Sequence, residues 1–367
     1  MSRPRLEHLA WSKAQHGRWR LNLADSAVAA PDLAALGLPH QAGAADPEDL
    51  LPELERVLGA RLRAPGGRVL VTAGASEANA CVFLGLLEPG EEALVESPGY
   101  EPHRAAPSWF GRRVRAFARR REQGYGRVCD AVEAALSAAT RLVMLTDLHN
   151  PSGVALAAGD AAALTRLAER RGLWLACDET FRDAGERPAG TLSALSERWV
   201  TTSTLTKSYG LGSLRLGWVS GATAALERCA EAQNTLSVEP AGPSLALALA
   251  LAPHLDALRE RSHAILAANH ARWGRIIADG LPCDTAVPSP GTTTFIHFPG
   301  PAGGDAFAAY AAERFELLTV PGRFFGEPRG VRIALGGEPA RCAAALETFQ
   351  IAVRAFHDEH ATAVEPA

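Results

Sequence analysis

The 367-residue sequence predicts an α/β fold: a mostly parallel seven-stranded sheet flanked by helices, joined to a smaller α+β domain. Three observations carry this prediction. Short β-type apolar runs alternate with helix-sized stretches between residues 69 and 220, the pattern of a parallel sheet covered on both faces. The texture changes near Pro253, where a long helix-like stretch gives way to strands punctuated by proline and glycine. Apolar residues make up 47% of the chain, which marks it as globular with ample core.

The elements follow in order. Residues 1–30 read as an N-terminal arm that contributes to the small domain, 31–250 as the large domain and 251–367 as the C-terminal small domain. Strands are expected at Val69–Thr72, Ala93–Glu96, Val114–Phe117, Leu142–Thr146, Leu173–Cys177, Val200–Thr204 and Arg215–Ser220. Helical candidates between them include Ser76–Leu87, Ala131–Ala138 and Gly159–Arg171. In the second part, a helix over Leu255–Ile277 precedes strands at Thr293–Phe298, Leu317–Val320 and Val331–Leu335, and a final helix covers Ala340–Phe356. Residues 362–367 read as a tail.

Composition excludes several classes. The net charge of −4 gives no reason to expect nucleic acid or an acidic membrane surface. Arg112, Arg113, Arg115, Arg119, Arg120 and Arg121 cluster locally and read as a solvated edge strand and loop. The six cysteines are scattered without a CxxC pair, so neither a metal site nor a disulfide framework is expected. The N-terminus lacks the apolar core of a signal peptide, and the apolar run 244–252 is too short to span a bilayer. The expectation is a soluble cytoplasmic protein.

In an open parallel sheet, ligands sit beyond the carboxyl ends of the strands. Five groups of residues follow the expected strands. Gly74-Ala75-Ser76 joins a strand to a helix, where small residues let an anion reach free backbone N–H groups; a plain turn and N-cap is the ordinary reading. Pro98-Gly99-Tyr100 and Asn150-Pro151 come next, the latter either a turn or an amide presented to a ligand oxygen. Asp178 ends a buried-type strand and reads either as a helix cap or as a carboxylate holding a proton on a ring nitrogen. Last comes "TLTKSYGLGSLRLG", with Lys207, and Arg215 eight residues on. A lysine in a basic, partly desolvated site loses its proton readily and can form a Schiff base with an aldehyde. The fork of Arg215 suits a phosphate dianion, Thr204 adds a hydroxyl, and the glycines 210, 212 and 217 let the loop bend back on one ligand. The ligand these groups imply is pyridoxal 5′-phosphate (PLP).

From about residue 20 to 356 the sequence resembles the class I/II aminotransferases of the fold type I PLP-dependent enzymes. The resemblance rests on "GASEA" at 74–78, "SPGYEP" at 97–102, "NPSG" at 150–153, "DETF" at 178–181, "TLTKSYGLGSLRLG" at 204–217 and "VRIAL" at 331–335, in the family's order. It implies the family's major domain for the large sheet. It implies Lys207 as the Schiff-base lysine and proton carrier, Asp178 on the ring nitrogen, Asn150 on the ring's phenolic oxygen and Tyr100 stacked on the ring. Ala75, Ser76, Thr204 and Arg215 would hold the phosphate, and Arg332 would take the substrate's α-carboxylate. The reaction implied moves an amino group between an amino acid and a 2-oxo acid, in a homodimer with its sites at the subunit interface.

Two positions depart from the family pattern. Phe181 stands where a tyrosine usually donates to the phenolic oxygen. The tyrosine that commonly reaches the partner's phosphate has no counterpart in "HQAGAADPEDLLPEL", where His40 or Gln41 is the substitute to consider. The first departure keeps a lyase, cyclase or oxidase on the same scaffold as an alternative. A non-catalytic effector domain is the other, weighed against by the intact set of Lys207, Asp178 and Arg215. Arg182, His103 and Arg323 are candidates for contacting a substrate side chain, with a plain surface residue as the ordinary reading of each.

Overall fold

Seven strands form the large sheet in the computed structural model, which describes residues 5–36, 47–185, 190–285, 291–300 and 302–361. They are β1 (Leu70–Thr72), β2 (Glu92–Ser97), β3 (Arg113–Ala118), β4 (Thr140–Thr146), β5 (Trp174–Asp178), β6 (Trp199–Thr204) and β7 (Gly217–Ser220). Their order across the sheet is β1-β7-β6-β5-β4-β2-β3. β7 runs antiparallel to both neighbours, and the remaining pairs are parallel. All seven expected strands are present. The last one starts two residues later than expected, because Arg215 adopts left-handed backbone (φ 50°) ahead of it.

The apolar runs alternate between the two faces, as strand geometry requires. Leu142 and Met144 of β4 pack beneath the helices Ala75–Leu86 and Thr223–Leu236, where Phe83, Cys81 and Cys229 are wholly buried. Val143 and Leu145 face the other layer, against Val132 of the helix Cys129–Ala135 and Leu164 and Leu167 of the helix Ala158–Arg171. The first pair of helices touches at Gly85, where a Cβ would lie 2.6 Å from the Arg228 carbonyl oxygen. β3 is the edge strand, and Arg113 and Arg115 are exposed on it as the charged run suggested. Arg119 is different. It is fully buried and binds Glu96 at 2.7 Å, the Tyr125 carbonyl at 2.6 Å and the Thr146 carbonyl at 3.0 Å.

The second lobe holds a four-stranded antiparallel sheet in the order Val320–Pro321, Gly330–Ala334, Thr293–His297, Asp284–Thr285. The helices Leu255–Ala278, Gly303–Phe315 and Pro339–Ala361 bury Trp273, Phe307 and Phe349 against it. The N-terminal segment joins this lobe, since Leu21–Asn22 pairs in parallel with Leu317–Leu318. The helix Leu255–Ala278 links the two cores: Leu255 and Leu258 belong to the large-lobe cluster, Trp273 and Ile276 to the other. The apolar run 244–252 lies in the helix Gly242–Leu251, which buries Leu245, Ala248 and Leu251 against Leu54 and Leu58. Among the described residues, no helix is long and apolar enough to cross a membrane and no group of side chains is set to hold a metal ion.

Candidate active site

One cavity of about 660 Å³ opens at the carboxyl edge of the large sheet. The nine residues to which the resemblance gives a cofactor or α-carboxylate role all line it: Lys207, Ala75, Ser76, Tyr100, Asn150, Asp178, Thr204, Arg215 and Arg332.

Asp178 is the last residue of β5 and is buried. Its Oδ1 accepts from the Thr180 backbone N–H at 3.0 Å. Its Oδ2 accepts from Asn79 Nδ2 at 3.0 Å and lies 3.3 Å from His103 Nε2. Burial alone would raise the carboxyl's pKa, but the hydrogen bonds from His103, Thr180 and Asn79 outweigh it and hold it below its ordinary value. Thr202 donates to Asn79 Oδ1 at 2.6 Å, which orients the amide so that its N–H faces the carboxylate. Asp178 is therefore kept charged where a ligand cation can meet it.

Lys207 lies just beyond β6, half-buried, and its carbonyl accepts from the Val28 N–H at 2.9 Å. Burial lowers the pKa of its amine; Arg332 and Arg215 push the same way, while Asp25 and Asp178 pull back. Thr204 Oγ1 donates to the Leu216 carbonyl at 2.6 Å and lies 2.9 Å from Thr206 Oγ1.

Two glycines shape the anion end of the cavity. Gly74 (φ 91°) caps the helix Ala75–Leu86, and a Cβ there would lie 3.0 Å from Arg215 Nη2. A Cβ on Gly217 would lie 2.5 Å from Gly74 C and 2.7 Å from Ala75 N. Only the missing side chains let β7 pass this close to the helix start. The result brings free N–H groups, the positive end of the helix dipole and one guanidinium to the same place.

Arg332 stands on the strand Gly330–Ala334 and is buried. It donates to Asn150 Oδ1 at 3.1 Å and to the Ala24 carbonyl at 2.8 Å, and its guanidinium lies 5.2 Å from the Phe325 ring. Burial lowers its pKa to about 10, so it remains charged at neutral pH. Its Nε is buried without a partner, an unmet donor of the kind a bound carboxylate satisfies. Tyr100 precedes the helix Glu101–Trp109, and burial pushes its phenol up to about 12. Phe181 is buried and lines the same cavity.

Several lining or supporting residues were not found from the sequence. Asn79 carries no signal of its own and His103 none for this supporting place, because they meet Asp178 across 99 and 75 positions of chain. Thr206 could have been found from the alternation T-L-T-K, which sets it near Thr204. The helix Glu7–Gln15 closes one wall with His8 and Trp11, where an arm was expected. His8 is held neutral: burial pushes its pKa to about 3, helped by Arg332 and Lys207. Of the three side chains raised for substrate contact, none lines the cavity. His103 lies under Asp178. Arg182 binds Asp147 at 3.2 Å and the Gly190 carbonyl at 3.0 Å, and Arg323 lies 3.4 Å from Asp305 over the Phe324 ring. His40 and Gln41 lie outside the described residues.

Residues 24–349 match the family model for aminotransferase class I and II. The chain belongs to the class I and II aminotransferases. It is 30% identical over 284 residues to the probable N-succinyldiaminopimelate aminotransferase DapC of Mycobacterium tuberculosis, covering 72% of this chain and 68% of that protein. It is also 30% identical over 290 residues to capreomycidine synthase of Streptomyces vinaceus, covering 76% and 73% of the two chains. Among solved structures, a PLP-dependent aminotransferase from Streptococcus suis superposes with a TM-score of 0.86 at 20% identity, over 97% of this chain and 99% of that one. The fold is that of the PLP-dependent aminotransferases. The protein is a PLP-dependent aminotransferase, and its cavity fits that cofactor. Asp178 offers a carboxylate to a ring cation, the Gly74–Arg215 corner offers a cradle to a phosphate, and Lys207 lines the same cavity.

Proposed function

We propose that Lys207 carries the cofactor and, released from it, moves the proton that leaves the substrate's Cα. When bound, PLP supplies the electron sink for that proton's departure. This chain's residues do the rest. Asp178, kept ionised by its three hydrogen bonds, holds the proton on the ring nitrogen. Asn150 and Tyr100 position the ring. The helix start at Ala75 and Ser76, with Thr204 and Arg215, holds the phosphate. Arg332 fixes the substrate's α-carboxylate with the donor it has to spare. The lowered pKa of Lys207 leaves more of its amine neutral and able to accept a proton than in an ordinary lysine.

The observation that carries this reading is the convergence of all nine residues on one cavity. A single-turnover screen of the purified holoenzyme against the common amino acids tests it. Conversion of the visible cofactor band together with formation of the matching 2-oxo acid is the expected result. Turnover that yields an eliminated or ring-closed product instead would favour a second reading, another reaction type on this scaffold. That reading is supported by Phe181 in the cavity and by the likeness to a protein named as a synthase.

We further propose a cytoplasmic homodimer. Arg215 and Ser76 are exposed in the single chain although both line the cavity, which supports a second copy covering that side. Light scattering that finds a fully active monomer at micromolar concentration would refute the dimer. The separate cysteines support a reducing compartment. Recovery of the native protein outside the cytoplasmic fraction would refute that location.

A further inference from the structure

One carboxylate in the cavity has no part in holding the cofactor. Asp25 follows the strand Leu21–Asn22 and lines the cavity wall. The segment that carries it is pinned to both lobes. The Ala24 carbonyl accepts from Arg332 at 2.8 Å, the Val28 N–H donates to the Lys207 carbonyl at 2.9 Å, and the Ala29 N–H donates to the Gly336 carbonyl at 2.8 Å. Asp25 Oδ1 accepts from the Ala27 N–H at 3.0 Å, which orients the carboxylate. The residue is otherwise exposed, and among the described residues no cation pairs with it. Its field nevertheless reaches the two cations that matter most, since it opposes the lowering that burial imposes on the pKa of both Lys207 and Arg332.

Apart from Asp178, which the proposed function gives to the cofactor's ring, the other charges lining the cavity, Lys207, Arg215, Arg332 and Lys13, are cationic. An amino acid with its α-carboxylate on Arg332 and its amine at Lys207 therefore lies within reach of one unpaired, oriented carboxylate. A side-chain carboxylate placed there meets like charge, whereas a guanidinium or ammonium finds a counter-charge.

We propose that Asp25 selects amino donors with a cationic side chain, of the arginine, ornithine or lysine type, by accepting a charge-assisted hydrogen bond from the terminal nitrogen. This rests on the aminotransferase reading of the same site. Calorimetry on the holoenzyme tests it with two ligands that lack an amine and cannot react, 5-guanidinovalerate and its neutral isostere 5-ureidovalerate. The guanidino ligand is expected to bind about ten- to a hundred-fold tighter, the range of one hydrogen bond to a charged group. In Asp25→Asn that ratio should fall to about two or less. Equal or undetectable binding of both ligands by the wild-type holoenzyme overturns the proposal whether or not the variant folds. A preference that survives in a folded Asp25→Asn overturns it too. The companion measurement is single turnover with arginine, citrulline and glutamate. Cofactor conversion without preference for arginine sinks this inference and leaves the aminotransferase reading intact. A charge preference in binding with no conversion by any amino acid does the reverse.

Discussion

The floor of the cavity and its wall are built by different means. On the floor, Asp178 and Thr204 are strand ends, and Asn150 and Lys207 lie four and three residues past the ends of β4 and β6. Asp178, Asn150 and Thr204 are no more than 4% exposed, and each has fixed partners inside the large lobe or across from it. The wall is a helix and a short segment applied from outside. Glu101 accepts from the Glu7 and His8 N–H groups at 3.1 and 2.8 Å, Trp11 lies 5.3 Å from Phe324, and residues 24–29 bridge the lobes through backbone bonds. Parallel strands in register fix their ends closely, because each is bonded along its length. Segments held by a few contacts can change sequence without disturbing that frame. The difference teaches where each proposed role can sit: the chemistry on the floor, whose frame is fixed, and the choice of substrate on the wall, whose sequence is free to change.

Removing a floor charge should have the largest effect. Asp178→Asn takes away the buried carboxylate at the end of β5 and leaves His103 facing an amide. Breaking a buried charge pair costs about 3–5 kcal/mol, so kcat should fall about a hundred- to a thousand-fold or more. Steady-state rates on a variant still loaded with cofactor decide this. A loss below about ten-fold would mean that the floor is not what drives the reaction.

Arg332→Lys probes the junction of floor and wall. An ammonium cannot keep both the Asn150 and Ala24 bonds and still offer a fork to a carboxylate. Expected is a drop of about ten- to a hundred-fold in kcat/KM with the cofactor spectrum unchanged. A spectrum that shifts with the activity would place Arg332 in the cofactor's half of the site.

Phe181→Tyr restores a phenol to the floor. A tyrosine hydroxyl donating to the cofactor's phenolic oxygen would favour the deprotonated form of the resting enzyme. The pH midpoint of the visible band should therefore be lower in the variant, by about one unit, with Asn150 limiting the effect. Coincident midpoints, or a higher one in the variant, would show that Phe181 does not face that oxygen.

Trp11→Ala should have the smallest effect and the clearest separation. Trp11 lines the cavity from the wall and touches no floor residue named here. Its loss is expected to raise KM for the amino donor about three- to ten-fold, the effect of about 1 kcal/mol of lost packing. Cofactor affinity, followed by titration of the apoenzyme, should stay within about two-fold. Loss of cofactor affinity instead would erase the division between floor and wall.

That division also describes what the sequence made legible. Strand-end residues can be read because a β-type run announces where the chain emerges, and the next residues are necessarily at the ligand edge. Asp178, Asn150 and Lys207 were found that way. Arg332 sits within a late strand and reads alone as a surface arginine; the role proposed for it comes from the family resemblance, and its burial only from the fold. Asn79 and Asp25 left no trace, because each gains meaning only through groups far away in sequence. His103 was even assigned to the wrong neighbour, as a substrate contact, when the helix Glu101–Trp109 turns it under Asp178. Arg119 is hidden in a charge run whose other members are exposed or half-buried, since nothing local marks the one arginine that the end of β3 delivers to Glu96.

The central claim is that this cavity holds its cofactor on Lys207, and borohydride reduction of the holoenzyme followed by peptide mapping tests it most directly. The account predicts a single phosphopyridoxyl-labelled peptide containing Lys207, together with loss of turnover in Lys207→Ala. A label on Lys13, which lines the same cavity, or no stable label at all, would contradict it.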